Sequence, residues 1–260
     1  YVYKRQDKSN TALAEINNKY PYGGNNAADN SGVMTYVSIC YAGARSTQDI
    51  EHNGLTLNGV GNGTTIENIY VLESADDAIE FFGGTVNVKN LLAVNSDDDM
   101  FDFTQGYCGT LSNCYGIWES DYTSTEADPR GIEADGNLDG LYPTHLRQSD
   151  FRVENMTIVN NAADKADNVD RMQDVIKIRR GAKAAIVNAL VKGTGGSIDL
   201  IDMSDSKGAG NADSSVSITN SLNLTGKKLN GTLNTFAEPA GNIGTDVSLF
   251  TWTGYNFSSL

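Results

Sequence analysis

The sequence predicts an all-β chain wound into a single-stranded, right-handed parallel β-helix. Three observations carry this reading. An apolar-x-Asn signature recurs six times, a short alternating run precedes each copy, and 27 glycines stand against 4 prolines in 260 residues. Many glycines permit tight turns and few prolines interrupt strands, which suits many short strands.

The signature reads Ile66-Glu67-Asn68, Val88-Lys89-Asn90, Leu111-Ser112-Asn113, Val153-Glu154-Asn155, Ile186-Val187-Asn188 and Ile218-Thr219-Asn220, at intervals of 22, 23, 42, 33 and 32 residues. A fixed period of this length marks a solenoid whose coils each need a neighbour to bury their apolar side. The residue two places before each Asn is aliphatic and faces the core. Runs such as Thr85-Val86-Asn87-Val88 alternate and are bounded by Gly, Asn and Asp, which is a strand pattern and not a helical one. The Asn column is expected to turn inward and form an amide ladder at the roughly 4.8 Å spacing of stacked strands. The preceding runs are Leu55-Thr56-Leu57, Ile79-Glu80-Phe81, Phe101-Asp102-Phe103, Ile132-Glu133-Ala134, Ile176-Lys177-Ile178 and Ile198-Asp199-Leu200. Each coil of about 22 residues therefore holds at least two strands, and polar insertions fall at residues 136–148 and 204–213.

The remaining segments are read in chain order. Residues 1–21 form an irregular start, with a short helix expected from Thr11 to Asn17. Val2 to Gln6, VYKRQ, reads as the translated end of a library transposon, from which a fragment with its first coils and export signal upstream is expected; a genuine basic start to a proteolytic fragment is the alternative. The β-helix domain spans residues 22–246, its first core strand running from Gly32 to Cys40, and residues 247–260 form an aromatic tail expected to cap the open end of the solenoid. Cys114 falls in the inward column and is expected as a buried thiol, with a local Cys108–Cys114 disulfide as the alternative.

A formal charge of -14 argues against nucleic acid, because phosphate neutralisation needs a Lys/Arg surface. No apolar run reaches the roughly 18 to 20 residues of a membrane span. Cations and polymers are the expected partners.

Side chains alternate across a strand, so the middle residue of each preceding run points outward. Stacking then aligns Glu80, Asp102 and Glu133, followed by Lys177 and Asp199, with Asp77 and Asp99 in equivalent places just ahead. From Asp97 through Asp139 there are eleven acids and one base, Arg130. Carboxylates one strand apart repel by about 1 kcal/mol even at water's dielectric. Such a column is either a solvated face or a place for a divalent cation, and calcium, which takes six to eight oxygens, fits it best. A second candidate metal site is Asp135, Asn137 and Asp139, which repeat the first half of an EF-hand loop and lack its last acid, since Leu146 stands there.

The binding candidates are Asp77, Glu80, Asp99, Asp102, Glu133 and Lys177, with Trp118 as a surface on which a sugar ring stacks. For an enzyme the candidates are Glu80, Asp102 and Glu133 as acid or base, and Lys177 or Arg179 as proton acceptor in a lyase. His52 and His145 stand in no Gly-flanked turn of the kind that carries a catalytic histidine in polygalacturonase-like chains.

Gly54 to Gly61, Thr64 to Asn68, Ser74 to Asn90 and Arg130 to Asp135 resemble secreted or outer-membrane-anchored bacterial β-helix proteins of the Bacteroidota type. The similarity is strongest from Tyr22 to Asp135 and returns in the Phe250-Thr-Trp-Thr-Gly254 tail. The resemblance implies the fold and an extracellular, cell-surface location, and it brings no activity with it. The function expected is a binding or adhesion module for glycans or other surface polymers, assisted by calcium. A polysaccharide lyase or glycoside hydrolase using the acidic column, and a passive spacer, are the alternatives.

Overall fold

The computed structural model describes residues 11–14, 16–43, 52–163 and 171–259; Tyr1 to Gln6 lie outside them. The chain opens with an antiparallel hairpin of β1 (Thr11–Ala14) and β2 (Asn17–Gly23), where a helix was expected. Ala12 and Ala14 are buried while Thr11 and Leu13 are exposed, a period of two that a strand meets and a helix does not.

Two parallel sheets follow. One holds eight strands: β3 (Val33–Cys40), β5 (Thr65–Leu72), β7 (Val88–Val94), β9 (Thr110–Trp118), β11 (Asp150–Asn160), β13 (Lys183–Lys192), β15 (Ser215–Asn220) and β17 (Thr235–Ala237). The other holds seven: β4 (Leu55–Asn58), β6 (Ile79–Phe82), β8 (Phe101–Thr104), β10 (Ile132–Asp135), β12 (Met172–Arg179), β14 (Gly196–Asp202) and β16 (Asn223–Leu224). The chain alternates between the sheets, and each strand pairs in parallel with its copy one coil on, as in a right-handed parallel β-helix. All six preceding runs lie in the seven-stranded sheet, and all six Asn signatures lie in the eight-stranded sheet.

The sheets share one core. Ile66, Val88, Leu111, Val153 and Ile186 stack from the eight-stranded side, and Phe81, Phe103, Ile132 and Ile176 meet them from the other. Phe81 and Phe103 stack at 5.0 Å between ring centroids, and Phe103 and Phe151 at 4.1 Å. Each such fully buried apolar side chain contributes about 1.5–3 kcal/mol. Cys114 lies in this core as a free thiol pushed above its ordinary range by burial, and Cys108 is free as well.

The amide ladder is present over five rungs. Asn90 donates to Asn68, Asn113 to Asn90, Asn155 to Asn113 and Asn188 to Asn155, all at 2.8 to 2.9 Å. These five residues have φ between +52° and +58°, the left-handed region that Asn tolerates better than any other side-chain-bearing residue. The left-handed turn bends the strand and leaves the amides half-buried at the bend, clear of the apolar core. The sixth Asn is out of step. A register shift between Ile186 and Ala189 aligns Asn220 with Val191, and its amide turns instead to the Leu222 carbonyl. At the other end Tyr36 takes the ladder position, with φ +57° and no amide to offer.

The aromatic tail does not cap the end of the solenoid. It runs back along the outside of the eight-stranded sheet, from Asn188, which binds Ile243 and Gly244, to Tyr36, whose ring meets Trp252 at 5.5 Å. Thr245 bonds the carbonyls of Cys114 and Asn155. A 3-10 turn over Val247–Thr253, capped by Asp246, then lowers Phe250 onto Tyr70, Leu92, Tyr115, Ile117 and Val159. Those residues are the outward neighbours of the core positions. A sheet whose outer face is apolar needs a cover there, and the tail supplies it.

Candidate functional site

The outer face of the seven-stranded sheet gathers the charged side chains. Register places Glu80 beside Asp102, Asp102 beside Glu133, and Glu133 beside Lys177. The next rung differs from the expected column: Lys177 pairs with Asp202, and Asp199 stacks on Asp174. The face is not a solvated one. Glu80, Glu133, Asp199 and Lys177 are buried to between 7 % and 9 % exposure, and Asp77 and Asp99 further. Asp102 is half-buried.

Repulsion along the column is offset in part by built-in cations. In the later half Glu133, Asp135, Asp174 and Asp202 each meet a built-in cation, while Asp199 accepts the Lys227 backbone N–H. Arg130, itself 5 % exposed, pairs with Glu133, with Asp128 at 2.6 Å, with Asp174 at 3.4 Å and with Asp99 at 4.0 Å. Burial works against its charge, but Asp99, Asp128 and Asp174 outweigh this and hold the guanidinium above its ordinary value. Arg179 pairs with Glu133 and, at 2.8 Å, with Asp135; Arg180 binds the other Asp135 oxygen at 2.7 Å. The Lys177 ammonium pairs with Asp202 and lies 3.8 Å from Asp174. Its bond, with those from Ser204, outweighs desolvation and holds Asp202 below the usual carboxylate range.

In the earlier half carboxylates meet one another. Asp77, Glu80 and Asp102 each bring an oxygen within 4.8 Å of the others, and so do Asp76, Asp77 and Asp98. Burial, then Asp76, Asp102, Asp99 and Glu80, push Asp77 well above the usual range. Burial and Asp128 carry Asp98 to about 7. Oxygen-only donors at this separation suit a hard divalent cation of the calcium type.

The Asp135-Asn137-Asp139 turn is held by protein groups. Both Asp135 oxygens go to Arg179 and Arg180, and the Asn137 amide bonds Gln148 at 2.8 Å and the Arg180 carbonyl at 3.0 Å. Asp139 is exposed, at φ +49°. Trp118 offers no face to a sugar. It is 1 % exposed, its indole N–H bonds the Ser96 carbonyl at 3.0 Å, and Tyr122 packs on it.

Arg130, Arg180, Asp76 and Asp98 stood outside the binding candidates, although the paired acids Asp76-Asp77 and Asp98-Asp99 and the run from Asp174 to Arg180 mark three of them in the sequence; the two arginines neutralise the later half, and the two acids complete the earlier one. Arg130 carried a signal, as the one base among eleven acids. Beside the acids lies an open cleft of about 320 Å³ lined by Tyr41, Glu73, Asn95, Asp97, Tyr122 and Thr123.

A solenoid of this winding, with buried charge gathered on the outer face of one sheet, is a parallel β-helix protein. More narrowly, the chain belongs to the family described as the pectate-lyase like beta helix domain, whose model matches residues 4–253. No match was found among curated proteins or among solved structures. No helix among the described residues is long and apolar enough to cross a membrane.

Proposed function

We propose that the protein is an extracellular, cell-surface module that binds polysaccharide or another surface polymer, with calcium held on the acidic column. Membership of a pectate-lyase-like family supports the polymer class. A face whose groups repeat at about 4.8 Å suits a linear polymer better than a compact small molecule. The cleft beside the column, with Tyr41 70 % exposed at its rim, gives the polymer an open surface next to the cation.

One observation favours binding over catalysis. Glu133, Lys177 and Arg179 are each engaged in buried ion pairs, whereas a general acid or base must be able to exchange its proton with substrate. The lyase reading has its own support in Arg179. Burial, then Arg130 and Arg180, pull its guanidinium below the ordinary value.

Affinity electrophoresis through neutral and acidic polysaccharides, with calcium or with chelator, separates the readings. Retardation that needs calcium, without new reducing ends or unsaturated products, is the expected result. Polymer cleavage that Arg179→Lys abolishes establishes the lyase; neither retardation nor cleavage leaves the spacer.

A further inference from the structure

We infer that the amide ladder and the tail form a second binding site, on the eight-stranded side of the molecule, for an uncharged oligosaccharide. It goes beyond the reading above, since it uses neither the acidic column nor a cation. An open cleft of about 540 Å³ lies where the tail crosses the ladder, lined by Asn113, Asn155 and Asn188 and by residues 243–247. The tail side is fixed in advance: the Thr245 hydroxyl bonds the carbonyls of Cys114 and Asn155, and its backbone N–H bonds the Thr157 hydroxyl at 2.9 Å. A site already in place spares a ligand the cost of ordering it.

The hydrogen bonds of the three amides set the chemistry. A carboxamide has two N–H donors and two acceptor lone pairs. Asn188 uses all four: it donates to Asn155 and to the Gly244 carbonyl, and it accepts from the N–H groups of Ile243 and Gly244. Asn155 and Asn113 use half. Each donates once to the rung before and accepts once from the rung after, and both are half-buried where they line the cleft. Among the described residues nothing takes the second N–H or the second lone pair of either. The tail therefore completes one rung and leaves a donor and an acceptor side by side on each of the next two, roughly 4.8 Å apart along the ladder. Neighbouring hydroxyls of a sugar ring, each able to donate and to accept, match such pairs. Ile243, 78 % exposed, and Val247, 39 % exposed, offer apolar contact to the C–H face of the ring, the mixture of apolar lining and few polar groups that small-ligand sites use. The lining also selects against charge. It contains no Lys, Arg or His, and its acid is Asp246, which Ser248, through its backbone N–H and then its hydroxyl, holds below the usual carboxylate range. An acidic sugar is repelled there and finds no cation to pair with.

Nuclear magnetic resonance titration of the nitrogen-15-labelled full chain, in chelator, with cellohexaose and with maltohexaose tests the assignment. At least one of the two is expected to move the side-chain amide signals of Asn113 and Asn155 together and to leave that of Asn68, at the far end of the ladder, in place. Tetragalacturonate should move none of them. Ile243→Glu sets a charge at the exposed rim and removes no side-chain bond of the ladder, so it is expected to fold, which an unchanged urea midpoint checks, and to bind about tenfold more weakly. Glu80→Gln, on the acidic column, should bind as the wild type does. Still signals at Asn113 and Asn155 with both neutral sugars, wild-type affinity in Ile243→Glu, or an equal response to tetragalacturonate overturns the inference. The two sites are read separately: calcium-dependent polymer retention with these amides unmoved sinks only this site, and amide shifts in chelator without such retention sink only the function proposed above.

Discussion

Asn188 and Gly244 close the amide ladder on each other. The Asn188 amide donates to the Gly244 carbonyl at 3.3 Å and accepts the Gly244 N–H at 3.4 Å, so the last rung is finished by the tail and not by another coil. Gly244 has φ +65°, and a Cβ there would meet the Thr157 hydroxyl, the Met156 carbonyl at 3.0 Å and Leu190 at 2.9 Å. Gly244→Ala is therefore expected to lift the tail and cost about 1–3 kcal/mol, for strained backbone and overpacking. Urea denaturation should show the loss, together with increased binding of a hydrophobic dye.

The interior of the ladder can be tested at Asn113, which donates to Asn90 and accepts from Asn155. Asn113→Gly keeps the positive φ and loses both bonds, for about 1–2 kcal/mol. Asn113→Ala loses the bonds and also enters the left-handed region, adding roughly 1 kcal/mol. The order Asn, Gly, Ala in urea midpoint is the expected result; Ala equal to Gly would show that the backbone turn relaxes.

Lys177→Met removes the ammonium from among Asp174, Asp199 and Asp202. Stripping one partner from a buried charge cluster costs about 3–5 kcal/mol. Adding Asp202→Asn should recover part of it, which a double-mutant cycle by thermal melting measures. Added calcium should stabilise Lys177→Met more than the wild type, because the cluster it leaves has the dimensions of a cation site.

Acid should stabilise the chelator-treated protein. Desolvation first, with acid neighbours, carries Asp98 to about 7 and Asp174 to about 6, and the attraction of Lys177 and Arg130 only partly offsets this for Asp174. Both values lie above the ordinary 3.8, so between roughly pH 4 and 7 the folded state binds more protons than the unfolded one. Stability then falls as pH rises through that window. The melting temperature is expected to be several degrees lower at pH 8 than at pH 5.5; the opposite slope would show these acids ionised at little cost. Calcium should flatten the dependence by taking the place of the protons at Asp98.

Periodicity made the winding legible. Six aliphatic-x-Asn copies located the strands of one sheet and six alternating runs those of the other, because a stacked coil must repeat its inward residues. The ladder was legible to the same extent and failed at Asn220, where a register shift leaves no mark in spacing. Column membership was readable as far as Glu133 and Lys177, since short coils keep register. It slipped at Asp199, because Lys177 and Asp199 are 22 residues apart whereas the bonded pair Lys177 and Asp202 is separated by 25. Burial was not legible. Alternation says that Glu80 points away from Phe81, and nothing in a single strand says what lies over it. The tail read as a cap because its aromatics demand burial, but Phe250 finds this against Tyr115, on a flank that the core pattern leaves undescribed.

The tail also sets an order of events for a chain made from its amino end. Coils from β5 to β9 can stack as soon as their successors emerge, yet Tyr70, Leu92 and Tyr115 stay bare until Phe250 arrives. Thr245 reaches back 131 residues to the carbonyl of Cys114. Contacts of such separation form late, and apolar surface exposed in the interval invites association between chains. The nascent solenoid is in this sense a zip fastened last along its side, and a chain stopped before residue 245 would keep its winding and lose its ability to stay apart from its neighbours.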